Sequence, residues 1–82
     1  MPTVSVNYYH RLRELSGFQS ERMHLDAGAT VTDLKHKVLC THPAIQPFHD
    51  SLLIARNNEY AQGGETLCDD DVLDFMPPVS GG

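Results

Sequence analysis

The chain has 82 residues, a net charge of −5 and 40% hydrophobic residues without any Trp, which suffices for one small domain with a modest core. The acidic balance argues against nucleic acid, which selects basic surfaces, and favours protein partners with basic docking faces. No apolar run approaches the roughly 20 residues of a membrane span, and the N-terminus lacks the layout of a signal peptide, so we expect a cytoplasmic protein.

The first part of the chain is predicted to form a strand, a short helix and a second strand. Residues 3–9 alternate between apolar and polar side chains, which is the period of a strand with one buried face. Residues 11–16 carry two leucines three positions apart, enough for one helical turn, and Gly17 follows as a C-terminal cap. Residues 20–25 alternate again, and we predict that this second strand runs antiparallel to the first.

The clearest helix is predicted over residues 30–41. Thr30 suits the N-cap, and Asp33 lies in the first turn, where a carboxylate interacts favourably with the helix dipole. His42-Pro43 prevents the helix from continuing. The positions that repeat at helical spacing and should face the core are Val31, Leu34, Val38 and Leu39.

The next segment is predicted to contain a connector and a hairpin. Residues 44–50 form the connector, which has room for a turn of helix. Residues 52–56 are typical of a third strand, Asn57-Asn58 suits a tight turn with positive φ, and residues 59–61 form a short return strand. Leu67 is predicted to anchor the following loop in the core.

The last strand is predicted over residues 72–76, and it decides the fold class. It is apolar on both sides, as expected for a central strand that lies parallel to the first strand. Five strands and one main helix predict an α+β fold in which a mixed sheet wraps around that helix, a β-grasp domain over residues 1–76.

One face of this last strand has to pack on the helix, and the other face remains to be covered. We interpret the second face as a candidate docking patch for a protein partner, with local packing beneath the loops as the alternative. The patch consists either of Leu73 and Phe75 or of Met76. Some of the residues at two neighbouring pairs of positions, Tyr8/Tyr9 and Leu52/Ile54, belong to it as well.

The chain ends in Pro77-Pro78-Val79-Ser80-Gly81-Gly82, which we predict to be an extended, flexible tail over residues 77–82. The two prolines end the strand before them and send the chain off in an extended direction. The residues after Pro77 can reach roughly 16 Å at ~3.3 Å per residue, and the glycines can pass a constriction in another protein. The reactive group is then the terminal carboxylate of Gly82, unless the glycines are only a disordered end.

An acidic stretch, Asp69-Asp70-Asp71, precedes the last strand, and Asp74 lies within it. These carboxylates could steer the terminus towards a positive pocket, or they could simply form a solvated turn. A calcium loop is discounted, because the stretch lacks the spaced ligands and the distal Glu of such a loop.

No side chain is predicted to be catalytic or to bind metal. The two cysteines, Cys40 and Cys68, have neither a disulfide nor a metal-ligand spacing, so we expect two free and mostly buried thiols. The serines have no identified base partner. The histidines lack ligand spacing and are expected at the surface; they are His10, His24, His36, His42 and His49.

Four segments carry a resemblance to a known family: Leu12-Arg13-Glu14-Leu15-x-Gly17, Val31-x-x-Leu34, Asn57-Asn58-Glu59-Tyr60 and Phe75-Met76-Pro77-Pro78-Val79-Ser80-Gly81-Gly82. With them the chain resembles the MoaD-type sulfur carriers, the small subunits of molybdopterin synthase, within the ubiquitin-like MoaD/ThiS family. Ubiquitin-like modifiers and thiamine-pathway carriers share the Gly-Gly end. Pro-Pro-Val-Ser-Gly-Gly after a strand is the more specific feature.

The resemblance implies a reaction cycle at Gly82. An E1-like, MoeB-type enzyme uses ATP and magnesium to adenylate its carboxylate, and a sulfur donor of the rhodanese or cysteine desulfurase type converts it to a thiocarboxylate. The carrier forms a heterotetramer with a MoaE-type large subunit. The tail with its thiocarboxylate enters that subunit and donates sulfur to the pterin precursor in molybdenum cofactor biosynthesis. The carrier then has no stably bound cofactor, and catalytic side chains belong to the large subunit. Partner-binding residues are expected to be Phe75, Met76, Pro77, Pro78, Val79, Ser80 and Gly81.

Other classes of function stay open at this point. The tail could be conjugated to lysines of other proteins as a ubiquitin-like tag. The domain could instead carry sulfur for thiamine or for tRNA thiolation, or it could be a passive binding module with an inert terminus.

Overall fold

A computed structural model describes residues 1–78 of the chain. Within that range the strands are β1 (Thr3–Tyr8), β2 (Ser20–His24), β3 (Leu53–Arg56), β4 (Glu59–Tyr60) and β5 (Val72–Met76). The helices are α1 (Arg11–Ser16), α2 (Val31–Thr41) and a 3-10 helix (Pro43–Phe48) that occupies the predicted connector. Of the predicted tail, only Pro77 and Pro78 are described, so its extended course stays a prediction.

The strands form one mixed sheet in the order β2-β1-β5-β3-β4. β5 lies at its centre, parallel to β1 and antiparallel to β3, and the other neighbours also pair antiparallel. The sheet shares its core with α2, and this arrangement confirms the predicted α+β, ubiquitin-like β-grasp. The central position of β5 is as predicted, and the core covers the face that carries Leu73 and Phe75.

The core lies between the sheet and α2. Alternate residues of β1 are completely buried, as its two-residue period predicts, and the four predicted core positions of α2 are buried too. Leu67 is 4% exposed, which confirms it as the anchor of its loop. The side chains that the strands and α2 bury most completely are Val4, Val6, Tyr8, Leu34, Val38, Leu73 and Phe75.

The predicted helix caps are present. Gly17 adopts a φ of 82°, and its N–H donates to the carbonyl of Arg13 at 2.9 Å, which ends α1. At the start of α2, the N–H of Asp33 donates to Thr30 Oγ1 at 3.3 Å and the N–H of Thr30 donates to Asp33 Oδ2 at 2.9 Å. This reciprocal capping box satisfies N–H groups that a helix start otherwise leaves without partners.

The hairpin turn is also as predicted, since Asn57 and Asn58 have φ values of 50° and 72°. Two positive φ values in a two-residue turn match the right-handed twist of the strands that it joins. The turn is fixed to β5 as well, because the N–H of Val72 donates to Asn57 Oδ1 at 2.9 Å.

Two expectations about polar side chains are wrong. Both cysteines are free, but Cys40 and Cys68 are exposed rather than buried, because the core stripe of α2 faces away from Cys40 and Cys68 lies in the loop before β5. Four histidines are exposed as expected, whereas the side chain of His42 is only 9% exposed. The turn that ends α2 places its ring against Tyr8 and Glu21.

Candidate functional site at the carboxyl end of the central strand

The predicted tail begins at the carboxyl end of β5, in the middle of the sheet. The N–H of Tyr9 donates to the carbonyl of Phe75 at 3.1 Å on one side, and Met76 pairs with Leu53 of β3 on the other. The point from which the tail starts is therefore held by both neighbouring strands. Val79, Ser80, Gly81 and Gly82 lie outside the described residues, so their roles remain predictions.

The two predicted versions of the docking patch can be distinguished, because neighbouring residues of a strand point to opposite faces. Leu73 and Phe75 are completely buried in the core on the side of α2. Their placement on a docking face, and the partner-binding role given to the Phe75 side chain, are therefore wrong for the folded domain. Met76 points the other way and is half-buried.

The face of the sheet opposite α2 carries a group of apolar side chains along β5 and its neighbours, which reaches the start of the tail at Met76. Met76 is paired directly with Leu53, and Val72 lies four residues before Met76 on the same face of β5. Tyr60 of β4 is 72% exposed and Val72 is 39% exposed. We refer to Leu53, Tyr60, Val72 and Met76 as the outer apolar patch. Tyr8 and Ile54, which the prediction had also placed near this surface, are buried on the core side.

The other half of the same face is polar and largely pairs with itself. Thr3 Oγ1 lies 2.6 Å from His24 Nδ1, and Arg22 Nη2 donates to Asp70 Oδ1 at 3.1 Å. Exposed pairs of this kind contribute little to stability. The sheet therefore presents mainly apolar side chains on the β3–β5 side, interrupted by Asp74 between Val72 and Met76, and polar ones on the β1–β2 side.

The acidic stretch before β5 divides into exposed and buried carboxylates. Asp69 and Asp70 are exposed, whereas Asp71 is 6% exposed. Asp71 Oδ2 accepts hydrogen bonds from Arg56 Nε and from the N–H of Cys68, both at 2.8 Å, and Oδ1 accepts one from Asn57 Nδ2 at 2.9 Å.

The predicted solvated or steering role is therefore wrong for Asp71, which connects the hairpin turn to the start of β5. Burial alone raises the pKa of Asp71, but the N–H of Cys68 and the side chains of Arg56 and Asn57 together hold the pKa below its usual value. No local sequence pattern predicts this group of contacts, because Arg56 and Asp71 are brought together by the pairing of β3 with β5.

A second buried polar group, also missed by the sequence, lies between β1, β2 and the end of α2. The hydroxyl of Tyr8 donates to Glu21 Oε2 at 2.6 Å, and His42 Nε2 lies 2.6 Å from the same oxygen. Burial, followed by the hydrogen bond to Glu21, raises the pKa of Tyr8. The three groups satisfy one another inside the domain, so we assign them a structural role.

The described residues, 1–78, offer neither a metal site nor a membrane-spanning helix. In that range, no three His, Cys, Asp or Glu side chains come together in a way that could hold a metal ion. Likewise, none of the helices described has the length and apolar character needed to cross a membrane.

Comparison with known proteins gives consistent matches over nearly the whole chain. The sequence matches the ThiS family over residues 6–82. It is 33% identical over 81 residues to the molybdopterin synthase sulfur carrier subunit of Chlamydomonas reinhardtii, covering 96% of this chain and 98% of that protein. It is 34% identical over 79 residues to small archaeal modifier protein 1 of Haloferax volcanii, covering 87% and 91%.

The fold is similar to that of a solved structure, the putative molybdopterin converting factor, subunit 1, from Pyrococcus furiosus. The TM-score is 0.88 at 31% sequence identity, and the match covers 96% of this chain and 100% of that one.

Proposed function

Since the chain belongs to the ThiS family, we propose that it is the sulfur carrier subunit of a molybdopterin synthase. The observation that carries the proposal is the base of the tail: a central strand, held on both sides, runs directly into Pro77-Pro78 and then into a Gly-Gly end. The similarity to the Chlamydomonas reinhardtii sulfur carrier over 98% of its length supports the molybdopterin branch.

In the proposed cycle the chemistry takes place at the Gly82 carboxylate. A carboxylate is a poor electrophile, so one of its oxygens first attacks the α-phosphorus of ATP on a MoeB-type enzyme, with magnesium, and pyrophosphate leaves. Sulfur from a rhodanese or cysteine desulfurase type donor then attacks the acyl carbon, and AMP leaves with the bonding electron pair. Reduction of the donor's sulfur–sulfur bond by a thiol releases the thiocarboxylate.

The thiocarboxylate sulfur is a soft nucleophile at the end of a narrow peptide. Inside a MoaE-type large subunit it attacks the pterin precursor, and two such rounds supply the dithiolene sulfurs of the cofactor. In this proposal the carrier forms a heterotetramer with the large subunit, and the residues that polarise the substrate belong to the large subunit. The need for ATP is consistent with a cytoplasmic protein.

The residues of this chain have a positioning role in the proposal. The paired strands fix where the tail begins, and Pro77 and Pro78 prevent the sheet from extending into it, because they lack N–H donors. The outer apolar patch, which reaches that point at Met76 and Leu53, is the proposed docking surface for the large subunit. Its apolar side chains are of the kind that another protein buries at the centre of an interface.

A second candidate function is conjugation of Gly82 to lysines of other proteins. The observation that favours it is the 34% identity to small archaeal modifier protein 1 of Haloferax volcanii. Both functions begin with the same adenylation, and they differ in whether sulfur or a lysine amine attacks the activated carbon.

Intact-mass analysis separates these functions. The full chain is incubated with an E1-like activating enzyme, ATP, magnesium and a sulfur donor, with the Gly82-deleted chain as the control. A mass gain equal to sulfur replacing one oxygen, followed by its loss to the pterin precursor when the large subunit is added, supports the proposal. A ladder of conjugates supports the modifier function instead, and an unchanged mass contradicts both.

A further inference from the structure

One cationic side chain beside the start of the tail is held in place without a matching negative charge. The Nε–H of Arg13 donates to the carbonyl of Tyr8 at 2.9 Å, and the guanidinium carbon lies 5.6 Å from the centre of the Tyr9 ring. These two contacts fix one edge of the guanidinium and place its plane near an aromatic ring. The two terminal nitrogens are left as a fork of N–H donors.

Arg13 differs from Arg22 and Arg56 in having no acidic partner, and from Arg11 in being held by a hydrogen bond and an aromatic ring. Arg22 pairs with Asp70 and Arg56 pairs with Asp71. Within residues 1–78, by contrast, Arg13 forms no ion pair, and its terminal nitrogens donate no hydrogen bond. In a chain with a net charge of −5, acidic partners are available, so an ordered but unpaired arginine indicates a partner from outside.

Arg13 lines an open cavity of about 290 Å³ that also contains other hydrogen-bond donors. The amide of Gln19 and the hydroxyl of Ser20 can both donate to an anion that approaches the guanidinium. The residues that line this cavity, which we call the Arg13 cavity, are Asn7, Tyr8, Tyr9, Arg13, Gln19 and Ser20.

The Arg13 cavity adjoins the start of the tail. Tyr8 pairs with Phe75 of β5, and the N–H of Tyr9 donates to the carbonyl of Phe75. Asp74 contacts two residues that line the cavity, since its Oδ1 accepts hydrogen bonds from Asn7 Nδ2 at 2.9 Å and from the Tyr9 hydroxyl at 3.4 Å. A protein that docks around the carboxyl end of β5 is therefore close to the Arg13 cavity.

We propose that Arg13 binds a carboxylate side chain of the large subunit and thereby orients the carrier for sulfur transfer; this inference rests on the proposed function. A carboxylate matches the planar fork of a guanidinium and can accept two parallel hydrogen bonds from it. A free small anion fits less well, because one guanidinium in an open cavity beside Asp74 would hold it weakly. A carboxylate on a docked protein is presented at high effective concentration.

The large subunit is the favoured source of the carboxylate, because the proposed synthase is a lasting assembly of the two proteins. A hydrogen-bonded charge pair that becomes covered in an interface acts mainly by slowing dissociation. The encounter with an activating enzyme is transient and gains less from such a pair.

The experiment measures the Kd between the full-length carrier and the large subunit from the same organism by calorimetry, for Arg13→Gln and Arg11→Gln. Both substitutions remove one positive charge from α1, so long-range attraction to the partner changes equally. Because a charge-assisted hydrogen bond contributes about 1.5–3 kcal/mol, we expect Arg13→Gln to weaken binding about ten- to hundredfold. Arg11→Gln should weaken it less than about threefold, as expected for an exposed charge.

Equal weakening by both variants, or no weakening by Arg13→Gln, overturns the proposal. Asp74→Asn gives an independent test that remains decisive if Arg13→Gln folds poorly. This change removes a negative charge that contacts two residues of the Arg13 cavity while keeping an acceptor oxygen for Asn7 and Tyr9, so it should tighten binding to the large subunit. Unchanged or weaker binding of Asp74→Asn contradicts a carboxylate in the Arg13 cavity.

Sulfur loading, measured by intact mass, distinguishes this inference from the proposed function. If wild-type carrier is not loaded, the proposed function fails. If wild type is loaded and Arg13→Gln is loaded poorly yet binds the large subunit normally, the carboxylate belongs to the activating enzyme. That result overturns the inference and leaves the proposed function standing.

Discussion

The two ends of the central strand β5 are held in different ways. Its start is enclosed by polar contacts, because Asp71 binds Arg56 and Asn57, and Val72 exchanges hydrogen bonds with Asn57 on both its N–H and its carbonyl. Its other end leads from half-buried Met76 into half-buried Pro77 and exposed Pro78.

This difference indicates which end is built for stability and which for contact. A buried, satisfied carboxylate at the start of β5 stabilises a unique arrangement of strands, and its removal leaves groups without partners. At the other end, prolines offer no N–H donors and the neighbouring side chains are apolar, so few internal hydrogen bonds have to break when another protein binds. We therefore expect substitutions at the start of β5 to change stability and substitutions beyond its end to change only the proposed transfer.

Deletion of Gly82 should have the largest effect on function, a complete loss of sulfur loading. The reason is chemical, since the deletion moves the terminal carboxylate one residue towards the domain. Gly81→Ala keeps the carboxylate in place but adds a Cβ in the narrow part of the tail, and should reduce loading or transfer only partly. Intact mass measures the loading and thermal unfolding measures the Tm. Normal pterin conversion by the deleted chain, or a lowered Tm, would contradict the division between the two ends.

Asp71→Asn should have the largest effect on stability. It leaves Arg56 without its buried counter-charge and turns an N–H₂ group towards the donors of Cys68 or Asn57, so we expect the free energy of unfolding to fall by about 2–3 kcal/mol. Asp70→Asn is the matched control. It breaks an exposed pair with Arg22, and Asn tolerates its positive φ of 66°, so its effect should stay within about 0.5 kcal/mol. Urea unfolding measures the free energy of unfolding of both variants. Equal losses would contradict the claim that the buried contacts of Asp71 stabilise the start of β5.

The sequence predicted the fold well where the determinants are local. Helical spacing in α2, the capping box at Thr30, the cap at Gly17 and the positive φ values of Asn57 and Asn58 each depend on neighbouring residues, and each is confirmed. The central position of β5 agrees with the prediction made from its apolar residues, although α2 covers only one face of the strand and Val72 on the other face is exposed.

The sequence did not predict which polar side chains are buried, because that depends on pairs far apart in the chain. Arg56 and Asp71 meet through the pairing of β3 and β5, and His42 meets Glu21 through the packing of α2 on β2. The sequence did not decide whether Phe75 faces the core for a similar reason: alternation along a strand defines two faces, but it does not say which of them α2 covers. The chemistry at Gly82 rests on the motif alone, since that residue lies outside the described range.

Met76→Ser should weaken binding to the large subunit about tenfold, since apolar side chains near the centre of an interface carry much of its binding energy. The side chain is half-buried and faces away from α2, so the Tm should change little. Ser5→Ala, on the polar half of the same face, is the control and should leave the Kd near its wild-type value. Calorimetry with the large subunit decides between them. A loss with Ser5→Ala but not with Met76→Ser would place the docking surface around Ser5 and not around the outer apolar patch.

The start of β5 should also loosen in acid, and this is the smallest effect that we predict. The pKa of Asp71 is lowered as described above. The pKa of Glu65 is lowered by hydrogen bonds from backbone N–H groups, including those of Gln62 and Gly63, which its carboxylate accepts at 2.8 Å. Because both folded-state pKa values lie below the ordinary values of 3.8 for Asp and 4.5 for Glu, the stability that these groups contribute is present above those values. It is lost as the pH falls through the folded-state pKa values.

The measurement is the difference in Tm between wild type and each amide variant as a function of pH, which cancels the contributions of other titrating groups. For Asp71→Asn the difference should be constant from neutral pH down to about 5 and should shrink below the ordinary pKa of Asp, since protonation removes the same charge from wild type. For Glu65→Gln the difference should be smaller throughout, because Glu65 is partly exposed and Gln keeps one acceptor oxygen. A difference for Asp71→Asn that stays constant into strong acid would contradict this prediction. It would mean that the negative charge of Asp71 does not stabilise the start of β5, and that only the fit of its side chain does.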